Sequence, residues 1–550
     1  MEQTETSSGG LSRCLDAFLV ALHHACDGGE AWNIPTAQLQ LASLQFCMMC
    51  RSVPMLHLKV VPDTPCRLWN DAIAEPEPAS TPDSPNSTRV PTLRPREITW
   101  NIPAPLLTLR RAKVFASVQC ATFDGTFNYP VDDVVWPCRL KAVRFGSLFN
   151  HSVQGVSWPA SLQRMIFGND FNQKIDGVSW PASLRQLTFG KNFNQRVDEV
   201  LWPASLQYLT FGRNFNQSIV EASWPASLLH LTFGCSFNQV IDGVSWPPTL
   251  QELSFAGNSF NQRIDGITCL PLSLQRLNFG RWFDQPVDGV SWPPPLEQLI
   301  FGVMFNQQID EVEWPSSLQQ ITFGHFFNQP IDEVSWPASL RKLIFGFRFD
   351  RPVANVSWPA SLQQLTFGSD YNQRIDEVAW PASLQQITFG GLFNQPIDDV
   401  SWPASLRELA FGYRFNQPID GGTWPASLQQ LVFGNCFDQS IESVVWPPSL
   451  QRLNLGWAFN QSLGEVAWPE TLQELTFGKA FNQPVESVSW PESLRQLTFG
   501  FFFNQPIHKV MWPASLQQLT LGEVFAQPIN GIEWPVSLKR LVVRGRQLST

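Results

Sequence analysis

Few residues in this chain are of types that perform chemistry, and their spacing brings no reactive set together. Of its seven histidines, His151, His230, His325 and His508 stand in the repetitive part of the sequence, each at a different place in its repeat. No nucleophile, base and orienting group recur together, so no catalytic residue is assigned and the chain is not expected to be an enzyme. Cys47-Met48-Met49-Cys50, with His23, His24 and Cys26 upstream, holds half the ligand spacing of a zinc site. A second such pair is missing, and Phe46, Met48 and Met49 read as a buried helix face. Core cysteines are therefore expected there, with no metal and no cofactor.

Two regular rows invite a ligand reading. Aspartates follow an Ile or Val in successive units, as at Asp176, Asp198, Asp242, Asp310, Asp332, Asp376, Asp398 and Asp420. Each unit supplies one or two carboxylates, whereas calcium takes six to eight oxygens, so solvated turn aspartates are expected. A threonine row (Thr188, Thr210, Thr366, Thr388, Thr498) could suggest an ice-binding face, but Ile300, Ile344, Ala410 and Val432 interrupt it. A β-favouring outer surface accounts for it more simply.

The elements that carry these rows follow from one period. Trp-Pro pairs begin at Trp136 and return every 22 residues to Trp246; after Leu270-Pro271 they run every 22 residues from Trp292 to Trp534. The step from Trp246 to Leu270 is 24 residues, so one coil must bulge. A representative unit, Trp380 to Ser401, reads WPASLQQITFGGLFNQPIDDVS. Its Leu-x-Phe alternation is that of a strand, its two prolines exclude a helix interior, and its glycine closes the strand. The Ile-Asp-x-Val piece also alternates and is expected to form a second extended side. No single unit can bury its Trp, Leu, Phe and Ile side chains, so the units must stack. The expected fold is a mainly β repeat solenoid, leucine-rich-repeat-like, of about nineteen coils of 22 residues, with each Trp inside at a corner.

Outside the repeats, Leu11, Leu15, Phe18, Leu19 and Leu22 recur at helical spacing, giving a small helical N-terminal segment over 1–71. Residues 72–99, rich in Pro, Ser and Thr, are expected to be a disordered linker. A degenerate capping coil over 100–135 follows, with Phe123, Phe127 and Trp136 in the spacing of the unit, then the solenoid over 136–550. Lys539, Arg540, Arg544 and Arg546 form a charged cap against edge pairing. The formal net charge is -10, which offers no field for a phosphate backbone, so nucleic acid is not an expected partner. No run reaches the length of a membrane span, the N-terminus is acidic where a secretory signal would be basic, and the ten cysteines are scattered; an intracellular, cytoplasmic setting without membrane attachment is the expectation.

The unit resembles the FNIP repeat, whose core stands here as FNQPI at Phe327–Ile331, Phe393–Ile397 and Phe415–Ile419. It is also similar to the shorter bacterial leucine-rich repeat, through Trp202-Pro203, Leu206, Leu209 and Phe211, with Trp in place of Leu and the regular Asn at Asn216 instead of Asn214. The resemblance implies an interaction surface without chemistry of its own. In several lineages such repeats follow an F-box that recruits a ubiquitin ligase; the N-terminus here has no Leu-Pro-x-Glu opening.

What fails to repeat is the pair between the strand-closing glycine and the Phe of Phe-Asn. It brings large side chains at Trp282, Phe326, Phe347, Tyr413, Trp457, Phe501 and Phe502. In a stack, one varied position becomes one varied stripe, and aromatic residues dominate binding hot spots. The expected function is a protein-interaction scaffold that binds a protein partner along this stripe. A structural module with no ligand, which the near-identity of Trp358–Phe367 and Trp380–Phe389 favours, and a ubiquitin-ligase substrate receptor are the alternatives.

Overall fold

The computed structural model describes residues 97–100 and 118–548, apart from 256, 258 and 267–269. The expected helical segment over 1–71 lies outside these residues. The described chain divides into two compact units, one ending with 217 and 222–228, the other made of 218–221 and the residues from 229 onward. In the first unit the strands are β1 (Glu97–Trp100), β2 (Cys120–Phe123), β3 (Ala142–Arg144), β4 (Arg164–Ile166), β5 (Gln186–Thr188) and β6 (Tyr208–Thr210). The second begins with β7 (His230–Thr232), β8 (Glu252–Ser254), β9 (Arg276–Asn278) and β10 (Gln298–Ile300), and repeats the last of these every 22 residues to β20 (Gln518–Thr520). No helix occurs among the described residues.

Within each unit the successive repeat strands pair in parallel up to β21 (Arg540–Val543), and the register is the repeat itself: Gln186 faces Tyr208 in the first unit, Lys342 faces Gln364 in the second. From β3 to β20 each strand is three residues long, with its central residue pointing inward. Leu187, Leu343 and Leu365 are fully buried between half-buried neighbours. The Phe after the strand and the Phe of Phe-Asn complete the core as paired rings: Phe345 and Phe349 stack at 3.9 Å, and Phe349 lies 6.1 Å from Phe327 and from Tyr371 in the adjoining coils. Both units are therefore parallel β-solenoids with an aromatic interior.

Two features differ from the reading of the sequence. Ile-Asp-x-Val is a turn and not a second extended side; Val200 N–H donates to Val197 O and Val334 N–H to Ile331 O, with both ends buried. Turn chemistry overrides the alternation there, through Asp followed by Gly177, Gly243 or Gly289 at positive φ. The tryptophans, expected inside, mostly form a half-buried flank. Trp292 and Trp314 stack at 6.0 Å and Trp468 and Trp490 at 6.2 Å, while Trp136, Trp292, Trp446, Trp468 and Trp490 are less than 10% exposed. Large rings at a corner seal the core from the side rather than fill it.

Polar ladders join the coils. The Asn of Phe-Asn accepts the N–H of its counterpart one coil later, as Asn194 Oδ1 does from Asn216 and Asn328 Oδ1 from Asp350, at 2.9 and 3.0 Å. The next coil's Gln side chain donates to the same residue, as Gln395 does to Asn372. Only an acceptor is needed, which is why Asp284, Asp350 and Asp438 serve equally. Ala526 N–H donates to Asn504 Oδ1, but its own side chain has no acceptor to offer, at the last rung of the ladder. On the opposite corner each Ser donates to the preceding coil, as Ser339 Oγ does to Leu318 O at 2.7 Å.

The 24-residue step is absorbed in turns: Asn261 N–H meets Asn238 and Asp284 N–H meets Asn261 across 23 residues each, and β8 pairs with β9 in register. Residues 97–99, which fall in the expected linker, belong to β1, which pairs in parallel with β2; the alternating Glu-Ile-Thr-Trp supplies a strand where the flanking prolines end. At the other end, β21 (Arg540–Val543) turns through Arg544 and Gly545, both at positive φ, into the antiparallel β22 (Arg546–Leu548), so the charged terminus is a hairpin.

One position in the aromatic interior carries a cost. Tyr371 stands where other coils have Phe; it is fully buried, its hydroxyl has no hydrogen-bond partner, and burial pushes that hydroxyl far above the ordinary tyrosine range. Tyr371→Phe is expected to stabilise the protein by about 1 to 2 kcal/mol, since an unpaired buried hydroxyl is removed. Above about pH 10 the unfolded chain ionises at Tyr371 while the folded chain does not, so the native protein loses stability and the gap widens. Denaturant titrations at pH 7 and pH 10.5 check both; an unchanged or lower midpoint for the variant at pH 7 contradicts them.

Candidate partner-binding edge

The variable pair follows the strand, the buried Phe and the closing glycine. Its backbone is fixed twice over. Within the coil, Phe349 N–H donates to Gly346 O at 3.2 Å; between coils, Arg348 N–H donates to His325 O and Asp370 N–H to Phe347 O, both at 2.8 Å. The glycine has no freedom to be anything else, since a Cβ on Gly346 would lie 1.6 Å from the carbonyl oxygen of Gly324. The side chains of the pair vary from coil to coil, while these bonds hold the backbone that carries them.

In the second unit that leaves a line of exposed rings. Trp282, Phe326, Phe347, Tyr413, Trp457 and Phe502 are 39 to 57% exposed, while Phe501 is half-buried against Phe502, with ring centroids 4.9 Å apart. All seven residues singled out from sequence thus lie on one edge of one unit. Some rings cover each other: His325 stacks on Phe347 at 4.6 Å, and Lys479 Nζ sits 3.9 Å over the Trp457 ring. Around Trp457 the coil departs from the rest. Leu455 replaces the strand-following Phe, Gly456 adopts φ 77°, and Asn454 Oδ1 accepts the Gly456 N–H at 3.0 Å. The result is a shallow trough of about 300 Å³ bordered by Trp457, Lys479, Asn435, Thr476 and Thr498.

The strand face beside the edge is mostly half-buried Gln and Thr, but it holds one charged cluster that reading coil by coil misses. Glu252 lies 3.1 Å from His230 Nδ1 and 3.3 Å from Arg276 Nη1, and hydrogen bonding to His230, with Arg276 beside it, holds its carboxyl below the usual range. Aligning outward residues across β7, β8 and β9 is the signal that finds it. Several members of the aspartate row pair within their own coil: Arg196 beside Asp198 and Arg374 beside Asp376 lower those carboxyls, and Arg263 pairs with Asp265, while Asp176 accepts from Gln154 of the preceding coil. Among the described residues no three His, Cys, Asp or Glu are placed to hold a metal; Ser254 and the Tyr371 hydroxyl are buried in the core.

Comparison with known proteins places this geometry. The family model for the FNIP Repeat matches eleven overlapping segments that together run from 149 to 502: 149–192, 171–201, 193–236, 237–282, 283–326, 327–370, 371–414, 393–436, 415–458, 437–479 and 459–502. No curated protein matches the chain. Among solved structures, CroV588, described as a novel circular LRR protein, is 34% identical, with 82% of this chain and 76% of that one covered and a TM-score of 0.63. Toll, in its complex with Spatzle from Drosophila, is 12% identical over 74% of this chain and 62% of that one, with a TM-score of 0.54. TLR13, in its complex with ssRNA13, is 14% identical over 77% and 64%, with a TM-score of 0.51. The last two likenesses show a shared fold alone.

Proposed function

Since the chain belongs to the FNIP repeat family, a group of leucine-rich-repeat-like solenoids, we propose that it is a non-catalytic scaffold whose second unit captures a protein partner along the edge from Trp282 to Phe502. The observation that carries this reading is the row of six rings left 39 to 57% exposed on a backbone that stacking has already fixed. Exposed apolar groups in a line mark interaction sites, and a rigid backbone means little ordering cost on binding. Solvated acidic turns and a polar strand face give less to a partner that must exclude water. An intracellular setting belongs to the same proposal, supported by the unpaired thiols of Cys138, Cys235 and Cys436.

The test is affinity capture from the native cell with the full chain and with the triple variant Phe347→Ser, Tyr413→Ser, Trp457→Ser. A partner retained by the native chain is expected to be lost by more than about 2 kcal/mol, roughly thirtyfold, with the melting temperature unchanged. Equal capture by both proteins, or a lower melting temperature for the variant, removes the reading; the second outcome would mean that the rings belong to the core.

A further inference from the structure

The charges along the edge are opposite in sign to those at the far corner of the second unit. In the ten coils whose pairs run from Arg281 to Lys479, the pair positions hold four exposed cations, Arg281, Arg348, Arg414 and Lys479, against one carboxylate, Asp370. That carboxylate is met by Arg348 Nη1 at 3.5 Å. The neighbouring column, the last residue of each strand from Asn278 to Thr476, carries no charge at all. Asp284, Asp350 and Asp438, on the other side, are half-buried and turned into the ladder that holds the following coil. The far corner is the reverse: Asp310, Glu311, Asp332, Glu333, Asp398 and Asp399 are exposed there. A chain of net charge -10 thus keeps a row of cations on a line where six aromatic side chains are exposed.

The spacing of that row selects among anionic partners. One cation recurs every third coil, with aromatic or aliphatic side chains between: Trp282, Phe326 and Phe347 after the first, Leu392 and Tyr413 after the second, Trp457 after the third. Three coils, each between about 4.8 Å and the 6.1 Å that separates stacked rings of adjoining coils, correspond to about five residues of an extended chain at ~3.3 Å per residue. A single nucleic-acid strand binds by stacking its bases on free ring faces while cations track every phosphate. Here the cations are too sparse for a backbone, and faces of Phe347 and Trp457 are occupied by His325 and Lys479.

Building on the edge as the binding surface, we infer that its partner presents an extended acidic peptide segment, with carboxylates about five residues apart and apolar side chains between them. The carboxylates pair with Arg281, Arg348, Arg414 and Lys479, and the trough beside Trp457 seats one apolar side chain next to Lys479. Such pairs fix register along the stripe, while the rings supply the contact area.

The test uses the full chain, panned against a displayed library of random twenty-residue peptides, with poly-uridine as a competing probe. Enriched peptides are expected to carry Asp or Glu about five apart, and to bind at least tenfold more weakly to the variant Arg281→Glu, Arg414→Glu, Lys479→Glu. Enriched peptides without acidic residues that bind this variant normally, yet fail on the triple serine variant, overturn the inference and leave the edge itself standing. Peptides indifferent to both variants overturn the inference and the edge together. Poly-uridine binding tighter than any peptide overturns it in favour of nucleic acid.

Discussion

Replacing Gly346 by alanine is expected to cost more than about 4 kcal/mol, a loss out of proportion to the addition of one methyl group. The new Cβ would lie 1.6 Å from the carbonyl oxygen of Gly324 and 2.5 Å from its carbon, and neither backbone atom has a rotamer to escape through. Relief requires the two coils to part. That would break the 2.8 Å bond from Arg348 N–H to His325 O and strain the pairing of Gln320 with Lys342. Hydrogen exchange is the measurement suited to a stack whose unfolding is not all-or-none, with protection expected to fall at Gln320–Thr322 and Lys342–Ile344 and to persist many coils away. The control is Gly464→Ala, where the nearest atom is a side-chain oxygen at 3.8 Å and the change should stay within about 0.5 kcal/mol. If both variants behave alike, the close approach does not explain the glycine row.

The second large effect is expected at Phe349. It is fully buried, stacks on Phe345 at 3.9 Å, and lies between Phe327 and Tyr371. Phe349→Ala removes a ring from a column whose neighbours are held by their own ladders and cannot close the gap, so about 3 to 5 kcal/mol should be lost. Trp336→Ala should cost less, because Trp336 is half-buried on the flank and water can reach part of the space it leaves. Denaturant midpoints of the two variants give the comparison. A greater loss for Trp336→Ala would mean that the flank, and not the paired phenylalanines, holds the coils together.

Much of this architecture is legible in the residues. Period and strand follow from Leu-x-Phe-Gly and the two prolines, and the Phe-Asn amide reads as a link between coils because only a side chain at a turn could serve backbone groups there. The glycine's necessity was hidden, since the sequence shows a closed strand but not the carbonyl beneath it. The Ile-Asp-x-Val turn was hidden for a related reason: alternation over four residues is shared by strands and by turns with buried ends. The tryptophans were placed too deep because hydrophobicity does not distinguish filling a core from covering its side. For the edge, variability at the pair positions was visible in the sequence, whereas the coverage of Phe347 by His325 and the trough beside Trp457 depend on which coils adjoin.

The one-way Asn ladder bears on how such a chain can change in length. Each coil carries the acceptor for its successor and takes its own bond from its predecessor, so every internal coil has the same two mating surfaces. Unequal crossing-over between genes that adds or deletes one 22-residue block therefore leaves every junction satisfied, wherever the exchange falls. Selection meets no penalty for altered length until it reaches the ends, where Ala526 and the terminal hairpin cannot pass a bond onward. The pair positions, whose side chains take no part in the Asn ladder, are then places where a newly copied coil can diverge while the ladder stays satisfied, and new specificity can arise by copying first and editing two codons afterwards.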